Sequence, residues 1–168
     1  MKTNNFAFKF FAVLLFSLFV STAGVFAQTG KSPDKAPAEP VYDAELAGQL
    51  GADEYGMRSF VLVILKTGPA KITDEKKRKE LFEGHFANMG RLAKEGKLVL
   101  AGPFVEGGEN RGLFVFDVKT IEEARALVDS DPSVKAGIFK AELIKWYGSA
   151  ALLKIHEIHS KIQKTPVN

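Results

Sequence analysis

Four short apolar runs and two helical stripes, in the order strand, helix, strand, strand, helix, strand, predict an α+β fold of the ferredoxin-like βαββαβ kind. Two further observations sharpen this. Each helical stretch carries a single apolar stripe, so the helices cover one face of the sheet. The first strand, Arg58 to Lys66 (RSFVLVILK), is apolar throughout, so the other face must also be covered. A second copy of the chain, packed sheet against sheet, is the economical cover and predicts a homodimer.

Before the first strand, the chain reads as three segments. Residues 1–27 form a signal peptide: Lys2 and Lys9 precede the apolar run Phe10 to Val20, and Val25-Phe26-Ala27 sets small residues for cleavage after Ala27. No Cys follows for lipid attachment, so no stable membrane insertion is expected after cleavage. The predicted location is periplasmic or secreted. Residues 28–40 (QTGKSPDKAPAEP) are Pro-rich, polar and aperiodic, a disordered linker. Residues 41–57 form an N-terminal extension in which Asp43 is placed to cap a short helix carrying Leu46 and Leu50.

The domain proper is predicted over residues 58–148. Gly68-Pro69 ends the first strand. Asp74 to Gly96 reads as a helix with Leu81, Phe82, Phe86, Met89, Leu92 and Ala93 on its apolar stripe. Lys97 to Ala101 and Gly112 to Val118 are strands flanking the turn-rich loop Glu106 to Arg111. Thr120 caps a helix from Ile121 to about Ser130, with Glu122 and Glu123 in the first turn. Asp131-Pro132 ends it, because the residue before Pro avoids helical geometry. Gly137 to Tyr147 alternates as a last strand; Trp146 and Tyr147 at its end read as core, with the pocket lining or the dimer interface as the alternatives. Residues 149–168 are a C-terminal amphipathic helix and tail.

Composition narrows the function. The chain has 168 residues and no Cys, which excludes a disulfide framework, a thiol nucleophile and Cys-ligated metal. The formal charge of +3 suggests affinity for nucleic acid, but the leader holds two of the 23 basic residues and none of the 20 acidic ones. The remainder is nearly neutral and shows no basic face, so no nucleic-acid partner is expected. Lys76-Lys77-Arg78-Lys79 reads as a solvated face. Gly107-Gly108 lacks the helix and Lys of a phosphate loop and reads as a turn. His156 and His159, at i and i+3, lack the spacing of the metalloprotease motif and read as a solvated helical face. Asp53 reads as part of a plain loop. No metal and no cofactor are expected.

His85 is the informative residue. Helical spacing sets it between Leu81, Met89 and Leu92, on or beside the core-facing stripe. A buried imidazole needs a polar partner. Two readings follow: a core His satisfied by a backbone carbonyl or water, or a general acid/base in a pocket. Asp131 ends a helix ahead of Pro132, and is also a candidate acceptor that would fix the His85 tautomer. Spacing alone leaves both pairs of readings open.

Residues 85–103 (HFANMGRLAKEGKLVLAGP) and 129–139 (DSDPSVKAGIF) resemble, without gaps, the two signatures of the YCII-related (YciI-like) family: a helix His followed by E-G-x-L-x-x-A-G-P, and D-x-D-P-x-x-x-A-G-[IVL]-[FY]. The resemblance covers roughly Arg58 to Tyr147. It implies a dimeric α+β barrel, and a pocket between helices and sheet with His85 and Asp131 as a catalytic pair. Pro103 and Ser133, inside the two signatures, are the candidate substrate-binding residues. The implied function is a cofactor-independent lyase or isomerase using the His–Asp pair for acid/base chemistry on a small organic acid or ring compound. The alternative is a non-catalytic periplasmic dimer that binds a small ligand. The leader, the 41–57 segment and the C-terminal helix depart from the short pattern of this family.

Overall fold

The computed structural model describes residues 41–165. The predicted leader and linker, residues 1–40, and the last three residues lie outside the described residues. The elements run α1 (Ala44–Gln49), β1 (Met57–Thr67), α2 (Glu75–Lys94), β2 (Leu98–Pro103), β3 (Asn110–Phe116), α3 (Ile121–Asp129), α4 (Pro132–Lys135), β4 (Phe139–Ser149), a 3₁₀ turn (Ala150–Lys154) and α5 (Ile155–Ile162). The strands form one sheet in the order β2-β3-β1-β4, with every neighbouring pair antiparallel. This is the ferredoxin-like α+β arrangement.

Strand alternation divides the core between the two sheet faces. Val61, Val63 and Leu65 of β1 join Phe114, Phe116, Leu92 and Val128 beneath the helices. Phe60 of β1 joins Val99 and Val115 on the opposite face, with Leu62, Leu100 and Leu113 packed around them. The predicted caps are used. Asp74 accepts from Lys77 N–H to open α2, Asp43 accepts from Leu46 N–H to open α1, and Thr120 and Glu123 complete a reciprocal capping box on α3.

Three boundaries differ from expectation. Asp131 does not merely follow a helix; it caps α4, because Pro132 occupies a first-turn position where its missing N–H is harmless. The last strand begins at Phe139 rather than Gly137, because Gly137 sits at φ +73° and turns the chain out of α4. The C-terminal segment is not one helix: residues 150–154 wind as a 3₁₀ turn before α5.

That turn also changes how the second sheet face is covered. Leu152 and Leu153 pack on Phe60, Val99 and Val115, so the chain itself covers part of the face assigned to a second copy. The remainder stays open, with Ile144 41% and Trp146 37% exposed. Trp146 is therefore not core. Its ring lies 5.9 Å from that of Phe60, and its outer side is uncovered.

Two glycines lie inside α2, where Gly weakens a helix. Gly84 has a steric reason: a Cβ there would stand 2.9 Å from Cγ of Pro132, so its absence lets α2 and α4 approach. At Gly90 a Cβ would meet nothing within 4 Å. The two alanine substitutions should therefore have opposite signs in urea denaturation. Gly90→Ala is expected to stabilise by about 0.5–1 kcal/mol, whereas Gly84→Ala should lower the midpoint because the Pro132 ring must move.

Candidate active site

Positions 82, 85, 86 and 89 share one face of α2, and all four line a cavity of about 1400 Å³. The cavity runs from β1, β3 and the start of β4 along β2 to the loop after Pro103 and to α5. His85 is 7% exposed and Asp131 2%. The close approach at Gly84 carries the first helical turn of α4 up to α2, and His85 Nδ1 lies 2.6 Å from Oδ2 of Asp131.

The carboxylate is held on its other side as well. Oδ1 accepts from the Ser133 backbone N–H at 2.8 Å and from the Ser133 hydroxyl at 2.7 Å. Burial pushes the Asp131 carboxyl up, but the hydrogen bonds from His85 and Ser133, together with the charge of His85, outweigh it. They hold Asp131 below the ordinary carboxylate range. An ionised Asp131 accepts the Nδ1 proton in both states of the ring, so Nε2 is the nitrogen that carries the second proton of the imidazolium and the lone pair once that proton is lost. Nε2 makes no hydrogen bond among the described residues. Because none of their buried polar side-chain atoms is left unsatisfied, Nε2 opens on the cavity.

Four aromatic rings surround the imidazole: Phe86 at 5.4 Å, Phe139 at 5.6 Å, Phe114 at 6.0 Å and Phe82 at 6.2 Å between centroids. Phe82 and Phe86 meet it edge to face. An apolar enclosure of this kind strengthens any electrostatic contact made inside it.

Of the two predicted substrate-binding residues, Pro103 lines the cavity. Ser133 does not. It is fully buried, and its hydroxyl is directed to Asp131, so its observed contacts position the carboxylate. Arg78 is exposed, as its reading as part of a solvated face requires, and it also lines the cavity two turns of α2 before His85. That spacing was a signal available in the sequence. His156 and His159 line it too, and His156 Nε2 lies 2.7 Å from the Leu98 carbonyl oxygen. Asp53 stays outside the cavity, accepting from the Tyr147 hydroxyl and from the backbone of Tyr55 and Met57.

The YCII-related domain family matches residues 59–147. The chain belongs to that family. The uncharacterized protein YjpA of Bacillus subtilis (strain 168) is 27% identical over 90 residues, which cover 54% of this chain and 95% of YjpA. Among solved structures, the chain is similar to 5-chloro-2-hydroxyhydroquinone dehydrochlorinase (TftG) from Burkholderia phenoliruptrix AC1100, in complex with 2,5-dihydroxybenzoquinone. That similarity is 21% in identity with a TM-score of 0.41, over 52% of this chain and 92% of TftG. Within the YCII-related domain lie both His85 and Asp131; α1, the 3₁₀ turn and α5 lie outside it.

The depressed Asp131 value has a pH signature. A carboxyl that is more acidic folded than unfolded adds stability that is complete above its unfolded value. That stability is lost as pH falls through the folded one. Urea unfolding of the wild type should therefore lose stability below about pH 4, the ordinary Asp range. Asp131→Asn should lose correspondingly less over the same interval.

Proposed function

We propose that His85 and Asp131 form an acid/base pair of a cofactor-independent lyase or isomerase acting on a small organic acid or ring compound. The observation that carries this reading is the 2.6 Å contact from His85 Nδ1 to a doubly braced, ionised Asp131, with Nε2 turned to an aromatic-walled cavity. An imidazole whose Nδ1–H is held and whose Nε2 lone pair is free can act as a general base. Nε2 would take a proton from carbon next to an electron-withdrawing group. In an isomerisation, the imidazolium returns that proton to another carbon of the conjugated system. In an elimination, the C–H electron pair forms the new double bond while a leaving group departs with its own pair. Asp131 steadies the imidazolium in either case.

The ligand class follows from the walls. Arg78 and Arg111 line the cavity and neither forms an ion pair among the described residues, while Glu106 is the one acidic residue of the lining. Two free guanidiniums beside aromatic rings favour a ring compound bearing a carboxylate. The test is deuterium exchange into a panel of unsaturated and cyclic carboxylic acids, followed by NMR. His85→Gln should abolish exchange into any acid the wild type labels, and Asp131→Asn should reduce it by about 100-fold or more. Saturable binding of unchanged acids, indifferent to His85→Gln, would favour a ligand-binding role instead.

We further propose that the protein acts as a homodimer in the periplasm or outside the cell, after removal of the leader ending at Ala27. The open part of the second sheet face, around Ile144 and Trp146, supports a second copy as its cover. Light scattering of the purified protein should give twice the chain mass, and Trp146→Glu should shift it to the monomer without unfolding it.

A further inference from the structure

The C-terminal segment lies outside the YCII-related domain, yet it reaches the same cavity as His85. Its attachment is built from two kinds of contact. Leu152 and Leu153 anchor the 3₁₀ turn in the apolar cluster of Phe60, Val99 and Val115. His156 donates Nε2–H to the Leu98 carbonyl oxygen at 2.7 Å, fastening α5 to β2. β2 is an edge strand, and its other side is paired with β3. Fastened in this way, α5 and its C-cap contribute Ile155, His156, His159 and Gln163 to the cavity wall.

These four residues differ in what they offer. Ile155 is apolar, and His156 is engaged with the backbone of β2. His159 makes no side-chain hydrogen bond or ion pair among the described residues, and it stands one turn from the anchor on the same helix face. Gln163, the C-cap of α5, follows in extended backbone. The opposite flank of α5 carries Glu157, which is occupied by Lys154 and Lys161. The polar groups that the α5 wall leaves for a ligand are therefore His159 and Gln163. The α2 wall carries His85 with Phe82 and Phe86.

We propose that α5 is a specificity element of the ligand site, closing the cavity away from His85 and selecting elongated anionic ring compounds through His159. This rests on the reading of the cavity as the ligand site. A short ring acid engages the His85 end alone. A longer one, with its ring among Phe82, Phe86 and Phe139 and its carboxylate directed outward, spans the cavity to His159.

The experiment uses the full chain, with benzoate as the short probe and para-biphenylcarboxylate as the long one. Histidine ring resonances are followed by proton–carbon correlation NMR during titration. The long probe should shift the His85 and His159 rings with one common saturation, while benzoate shifts His85 only. His159→Ala should weaken the long probe about tenfold and leave benzoate unchanged, as expected for one lost polar contact. Gln163→Ala serves as a second variant that leaves the His156 anchor in place, and it should weaken the long probe alone. The proposal is overturned if the long probe moves His85 without His159, if both variants leave its affinity unchanged, or if neither probe saturates any histidine. Binding across both ends by a protein that shows no His85-dependent proton exchange would leave this inference standing and remove the acid/base reading.

Discussion

A carboxylate with almost no access to water can stay ionised only if the protein supplies what water would have given. Asp131 is in that position, and the surrounding elements are arranged around it. Ser133 gives two donors to one oxygen, and His85 gives one to the other. α4 has only four residues, too few to be stable alone. Its cap is Asp131 itself, and Pro132 at its start fixes the backbone that aims the carboxylate. Gly84 then removes the one side-chain atom that would hold α2 away from that proline. The imidazole reaches Asp131 because two backbones are allowed to approach, and the aromatic rings around it leave Nε2 as the group open to the cavity.

The two sheet faces divide the remaining work. The face under the helices builds the site, since Phe114 and Phe139 reach His85 from β3 and β4 while Leu92 and Val128 fill the core below. The other face carries Phe60, Val99 and Val115, and none of these touches the His–Asp pair. Its partial cover by Leu152 and Leu153 places the C-terminal chain at the β2 edge, where α5 lines the cavity. Covering apolar surface on one side of the sheet thus delivers polar side chains to the rim of the site built on the other.

How much of this could be read from sequence depends on how local each signal is. The strands and the two long helices were legible because a period of two or 3.6 residues repeats over their full length. Capping at Asp43, Asp74 and Thr120 is local and was read correctly. His85 and Asp131 were singled out individually, but 46 positions separate them, and periodicity says nothing about whether they meet; the signature resemblance supplied the pair. For Ser133 the signature implies a place at the substrate, whereas the structure turns its hydroxyl to Asp131. Its position two residues past a capping Asp is the geometry in which a hydroxyl turns back on the cap. For Trp146, alternation selects a face and does not show whether that face is covered, so core and dimer interface are not told apart by the sequence. The bond from His156 to Leu98 joins a side chain to a backbone atom 58 residues away, for which no sequence pattern exists.

The edges of the sheet explain why α5 lies where it does. An open four-stranded sheet has two edges, β2 and β4, and each must be kept from pairing with another chain. On β4, exposed Lys140, Glu142 and Lys145 give a charged edge. On β2, the edge not paired with β3 runs from Leu98 to Ala101 and on through Gly102-Pro103; it carries no charge, so a physical cover is required there. α5 provides it and takes up the Leu98 carbonyl that an added strand would otherwise use. Protection of the edge and closure of the cavity are therefore separable within one helix. His156, bound to the backbone, serves the first, and His159, one turn on and unengaged, is left for the second.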